Sequence, residues 1–155
     1  MSKITEKVVL QQLLAYLTEH KLICPSESTY RPHHSTETAL LKITNDILLA
    51  LDSGKVSLLT LLDLSAAFDT IDHCIHLNRL QHLYGISGTA LSWFSSYLTS
   101  RTHSVIIDDY VLQISSLSYG VPQGFVLGPI LFILYTKTLS DLIQCHSIES
   151  QFFCG

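Results

Sequence analysis

The chain has 155 residues, enough for one domain and too few for two full ones. Apolar residues make up 47% and charged residues 14%, which excludes a disordered tail, and the mean hydropathy of +0.33 is high for a free-standing soluble domain. The formal charge of −4 argues against simple clamping of a nucleic-acid backbone. Four cysteines without a closely spaced pair give neither a disulfide framework nor a zinc ribbon. No apolar run reaches the roughly 20 residues of a bilayer crossing, and the amino terminus does not read as a signal peptide, so a reduced, intracellular chain away from membranes is the expectation.

In chain order, residues 4–20 carry Val8, Leu10, Leu13, Leu14 and Leu17 at helical spacing, with Glu6, Lys7, Gln11 and Gln12 expected on the opposite, solvated side. Cys24-Pro25-Ser26 ends that helix, and a loop follows to His34. Ser35 is placed to cap a second helix, with Glu37 in its first turn and a stop near Ser53-Gly54. Residues 56–62 are short and nearly all apolar, the pattern of a strand buried on both faces, and they lead to Asp63. Asp72 begins a helix closed by Gly85, and another spans 89–98 around Trp93, expected as a buried anchor. Residues 103–107 alternate like a strand, Asp108-Asp109 turns the chain, and 111–119 form one or two further strands. A helix covers 126–143 with Pro129 near its first turn, and 148–154 form a last short strand. This mixture of helices and strands places the chain in the α+β class.

Two segments carry chemistry. In Leu61-Leu62-Asp63-Leu64-Ser65-Ala66-Ala67-Phe68-Asp69, a carboxylate ends a buried strand, where a hard oxygen ligand suits magnesium. Phe68 follows a tight turn of small residues that could return its ring to the same place. A strand-end aspartate also serves as a plain turn cap, and on these residues alone both readings stand. In Tyr119-Gly120-Val121-Pro122-Gln123-Gly124-Phe125, glycines let the backbone approach a ligand and Gln123 offers an amide that both donates and accepts. Glycine geometry in a strand-to-helix connection accounts for the same residues. His73, Cys74 and His76 lie close in sequence, but a zinc site needs four convergent ligands and no second paired cluster is present.

Together these segments resemble motifs A and B of the reverse transcriptase palm in the non-LTR (LINE-type) retrotransposon branch. That family writes Leu-Leu-Asp-Leu-Ser-x-Ala-Phe-Asp-Thr-x-Asp-His, matched here from Leu61 to His73. It also writes Ser-Tyr-Gly-Val-Pro-Gln-Gly-Ser-Val-Leu-Gly-Pro-x-Leu-Phe, matched from Ser118 to Phe132 except at Phe125. The block Arg31-Pro32-His33-His34-Ser35-Thr36-Glu37 resembles the segment that precedes the palm.

The resemblance implies a partial fingers and palm fold without a thumb: fingers-side helices in residues 1–55 and, in 56–155, an antiparallel palm sheet backed by helices. It assigns Asp63 as the metal-binding aspartate. Phe68 would lie under the sugar of the incoming nucleotide and exclude a 2′-hydroxyl. Gln123 and Gly124 would line the nucleotide pocket, and Arg31 would reach phosphates. The implied cofactor is Mg²⁺, and the implied partners are an RNA template, a DNA primer and deoxynucleotides.

The departures set a second expectation. The aromatic-Ala-Asp-Asp turn of motif C aligns with Phe153-Cys154-Gly155, so Gly155 stands where the first aspartate belongs. Phe125 replaces the family's serine, in a loop where a ring could fill the pocket, and Thr29 stands where glycine is usual. One carboxylate does not hold two cations, so a truncated and catalytically inactive polymerase fragment is expected. The alternative is a non-catalytic remnant that binds RNA or protein, with self-association through exposed apolar surface.

Overall fold

The computed structural model describes residues 3–23, 35–61, 66, 68–99, 101–104, 106–107, 110–111, 115–121, 124–146, 148 and 150. Its elements are helices α1 (Lys3–Glu19), α2 (Thr36–Asp52), α3 (His73–His82) and α4 (Gly88–Leu98), then short strands β1 (Arg101–His103), β2 (Ile106–Ile107), β3 (Tyr110–Val111) and β4 (Ser115–Leu117), and helix α5 (Gly128–Cys145). The α+β class holds, and the strand pairing is antiparallel. β1 pairs with β4 in the register Arg101↔Leu117, and β2 pairs with β3 in the register Ile106↔Val111. The expected run 103–107 is thus divided between two ladders. The Asp108-Asp109 turn lies outside the described residues, as does most of the expected last strand, 148–154.

The helix starts follow from local chemistry. The Ser35 hydroxyl accepts from the Thr38 N–H at 3.2 Å while the Thr38 hydroxyl accepts from the Ser35 N–H at 2.8 Å, a reciprocal capping box. Asp72 caps α3 by accepting from the Ile75 N–H at 2.8 Å.

The chain divides into two compact units. The first comprises residues 1–22 and 66–135. Its core draws on Leu13 and Leu17 of α1, Leu80 of α3, Phe94 and Leu98 of α4, and Leu127, Ile130, Leu131 and Leu134 at the start of α5, with Ile71 and Val121 between helices. Its polar stitches run through Tyr84, in the turn after α3: the Tyr16 hydroxyl donates to the Tyr84 carbonyl at 2.7 Å, and the buried Tyr84 hydroxyl donates to the Leu134 carbonyl at 2.9 Å. Trp93 is half-buried, stacked on Tyr97 at 5.3 Å. The second unit comprises residues 23–65 and 136–155. Its α2 carries an i,i+4 ion pair, Lys42–Asp46, and leaves Leu40, Leu41, Leu48, Leu49 and Leu51 exposed.

Two expectations are corrected. Glu6 was placed on the solvated side of α1, yet it is 0% exposed. Positions 6, 10, 13 and 17 form one i, i+4, i+7, i+11 stripe, so spacing puts Glu6 beside Leu13 and Leu17 whatever its polarity. Residues 56–61 were expected as a strand buried on both faces. They have no regular secondary structure, and Val56 and Leu58 are 98% and 92% exposed. A central strand requires neighbours on both edges, and none of the described strands pairs with this segment.

His76 sits in the core of the first unit with neither ring nitrogen hydrogen-bonded, its ring 5.7 Å from that of Tyr135. Burial, with the Arg79 guanidinium and His73 adding to it, pulls its pKa from 6.5 down to about 3. The unfolded chain therefore binds the extra proton between these values, so this contribution to stability is complete above pH 6.5 and is lost as pH falls toward 3. Acidification from pH 7 to pH 5 should cost about 2 kcal/mol through this one group. Urea unfolding at the two pH values should register that loss, and a His76→Leu variant should lack most of it.

Candidate functional site

The described part of the site is a junction between the turn 66–73 and the segment 118–128. Ala66 takes a left-handed conformation, φ +55°, and its carbonyl accepts from the Asp69 N–H at 2.9 Å, which closes a tight turn. The Phe68 carbonyl then accepts from the Val121 N–H at 2.8 Å, and the Ile71 carbonyl from the Gly120 N–H at 2.8 Å. Asp72 and Tyr119 form an antiparallel bridge. Nε2 of His73 lies 2.7 Å from the Gly120 carbonyl oxygen. A carbonyl only accepts, so this nitrogen carries the hydrogen.

Gly120 makes the approach possible. Its φ is +88°, and an added Cβ would lie 3.2 Å from the Asp69 Cα and 3.3 Å from the Asp69 carbonyl oxygen. Those are backbone atoms and cannot swing aside. Below the junction the Phe68 ring packs edge-on against Phe132 of α5, with ring centroids 5.7 Å apart, and lies beside Gly128.

Gly124 sits on the loop between these two points, exposed and with φ +75°. Beyond it the Phe125 ring is half-buried. It meets the Tyr97 ring edge-on at 6.4 Å, and the Arg101 guanidinium lies 5.6 Å from its centroid. The Val126 N–H donates to Oε2 of Glu6 at 2.8 Å. The Tyr97 pKa is raised, first by burial and then by the Glu6 carboxylate, with Arg101 opposing, so its hydroxyl keeps its proton.

Of the five residues assigned from sequence, Phe68 and Gly124 fall on this junction. Asp63, Gln123 and Arg31 lie outside the described residues. Among the described residues no group of three or more His, Cys, Asp or Glu side chains gathers, so they place no metal ion. His73 and His76 do share the buried face of α3, while Cys74 is exposed. Sequence reasoning missed Glu6, Tyr97, Arg101 and Phe132. Glu6 and Phe132 had a signal, since one continues the Leu13–Leu17 stripe and the other stands one helical turn beyond Gly128.

A family model described as reverse transcriptase (RNA-dependent DNA polymerase) matches residues 1–154. The chain belongs to the reverse transcriptase family. Among its relatives is the RNA-directed DNA polymerase from mobile element jockey of Drosophila melanogaster, 30% identical over 97% of this chain and 16% of the relative. Another is the probable RNA-directed DNA polymerase from transposon BS of the same organism, 27% identical over 90% of this chain and 15% of the relative. A third, from transposon X-element, is 28% identical over the same shares. The chain thus spans about a sixth of the length of these relatives. This reverse transcriptase segment belongs to the non-LTR branch that its motifs A and B resemble. The family consists of nucleotidyltransferases that normally use a divalent metal and act on nucleic-acid template and primer. No helix among the described residues is long and apolar enough to cross a membrane.

Gly120→Ala should lower stability by at least about 2 kcal/mol, because the left-handed backbone and a backbone clash act together. Gly124→Ala, where a Cβ meets open space, should cost about 1–2 kcal/mol. Equilibrium urea unfolding of both variants checks the order, and equal losses would contradict the close approach at Gly120.

Proposed function

We propose that this chain forms the nucleotide-binding face of an RNA-directed DNA polymerase from a non-LTR retrotransposon, and that the 155 residues alone do not join nucleotides. The observation that supports this most is the junction of the motif A turn with the motif B loop through Phe68, Ile71, Gly120 and Val121. It gathers the elements to which the resemblance assigns nucleotide contact, although motifs A and B lie some fifty residues apart in sequence.

In this reading Phe68, braced by Phe132, limits space beside the sugar, and Gln123 and Gly124 line the pocket. Arg31 reaches phosphates. Asp63 is the ligand for Mg²⁺, which supplies charge neutralisation at the phosphates when bound. RNA template and DNA primer are the partners. Inactivity rests on Gly155, which occupies the position of an aspartate that shares the metal with Asp63 in the family. Nucleotidyl transfer through paired cations requires several carboxylates.

The test is labelling of the full chain with a photoreactive dATP analogue. Mg²⁺-dependent labelling is expected, reduced at least tenfold in Asp63→Asn. An unlabelled ATP competitor should be markedly weaker than dATP, and Phe68→Ala should narrow that gap. Absence of Mg²⁺-dependent labelling would sink the nucleotide-binding reading. Primer extension is expected to be nil, and template-directed incorporation would refute the inactivity.

A second reading, a non-catalytic remnant that binds protein, is favoured by the exposed apolar residues of α2 and of segment 56–61. The net charge of −4 disfavours its RNA-binding version. Such a surface should make the chain self-associate, so sedimentation velocity should show mass rising with concentration. A monomer at all concentrations would remove the support for this reading.

A further inference from the structure

We infer that Glu6 of α1 is a positioning residue for the loop that carries Gln123 and Gly124, holding its far end through the backbone of Val126. The inference rests on the reading of Gln123 as a nucleotide-pocket residue.

A fully buried glutamate is rare because an ionised carboxylate loses its hydration, and it persists where something inside needs the charge or the acceptor. Glu6 is 0% exposed, and its described hydrogen bond comes from the Val126 N–H, 120 residues away in sequence. That donor lies just before α5, where main-chain N–H groups have no intrahelical acceptor. The carboxylate therefore satisfies a group that the helix itself leaves without an acceptor. Its second oxygen, Oε1, is buried, as is the Tyr97 hydroxyl, and the Glu6 carboxylate is near enough to raise the Tyr97 pKa. Neither oxygen has a hydrogen bond of ordinary geometry.

Tyr97 extends the same cluster. It stacks on Trp93 and meets the Phe125 ring edge-on, while the Arg101 guanidinium also lies over that ring. Residues 125 and 126 are thus held from α1, α4 and β1 together. At the other end, Gly120 and Val121 are held by Ile71 and Phe68. Only residues 122–124 separate the two anchored pairs, and Gln123 is the middle one. Holding the residues on either side is how a fold keeps a pocket loop in place before a ligand arrives.

Hydrogen exchange by mass spectrometry on the full chain tests this. Glu6→Leu removes the acceptor and should speed exchange in peptides covering 121–127 at least tenfold, with α3 peptides unchanged. Glu6→Gln keeps an acceptor oxygen and should stay within threefold of the parent chain. An unchanged loop in Glu6→Leu, or acceleration spread equally over α3 and α4, would overturn the inference. If Glu6→Leu is recovered only unfolded, Glu6→Asp takes its place: one methylene shorter, it should loosen the same peptides, and an unaltered loop would again overturn it. Labelling by the photoreactive dATP analogue should fall at least fivefold wherever the loop loosens, and undiminished labelling would overturn the link to nucleotide binding. A parent chain that never labels counts against the nucleotide-binding reading alone, and exchange still decides the role of Glu6.

Discussion

The close approach of backbone to backbone at Gly120 is the constraint on which the rest of the site depends. Two hydrogen bonds of 2.8 Å, Val121 to Phe68 and Gly120 to Ile71, join segments that the chain keeps far apart. Each such bond adds only about 1 kcal/mol net, but buried amides left unmatched would cost more than that. The pairing therefore selects one register. Any side chain at position 120 would press on the Asp69 backbone and strain a left-handed residue, so glycine is what lets this register form without strain. His73 then adds a ring N–H to the Gly120 carbonyl, which ties the first turn of α3 to the same point. Phe68 reaches Gly128 and Phe132 because its own carbonyl is held one step away.

What was legible in the sequence was largely what is determined locally. Ser35 and Asp72 could be read as caps because a cap depends on residues three positions on. The five helices follow from spacing, with boundaries displaced by a residue or two. The co-linear motifs marked both halves of the junction, but not that Gly120 and Phe68 meet, since no periodicity connects them. Glu6 was misplaced for a different reason. Polarity points Glu6 to solvent while its position on the stripe of Leu10, Leu13 and Leu17 points it inward, and a long carboxylate can occupy a core position when a backbone N–H awaits it. Segment 56–61 was misread because an apolar run signals burial without supplying the partner that would bury it.

Phe125 shows how a departure from a family pattern can be absorbed. On the sequence its ring could fill the nucleotide pocket. In the structure the ring meets Tyr97 and the Arg101 guanidinium, contacts that favour an aromatic face over a serine hydroxyl. The cluster that accommodates Phe125 also includes the Tyr97–Glu6 pair, so the change at 125 and the hold on Val126 belong to one packed group. Substitution at this position therefore alters how firmly the loop is anchored, and the side chain's bulk alone does not measure its effect.

The two parts of the expected site differ in what stabilises them. The motif B loop and the turn 66–73 are held by contacts within a single compact unit, through backbone pairing, glycine geometry and the start of α5. Residues 56–61, which lead to Asp63, pair with none of the described strands and expose Val56, Leu58 and Leu61. A metal-binding carboxylate needs its strand fixed before it can hold a small, strongly hydrated ion, because Mg²⁺ demands near-ideal geometry.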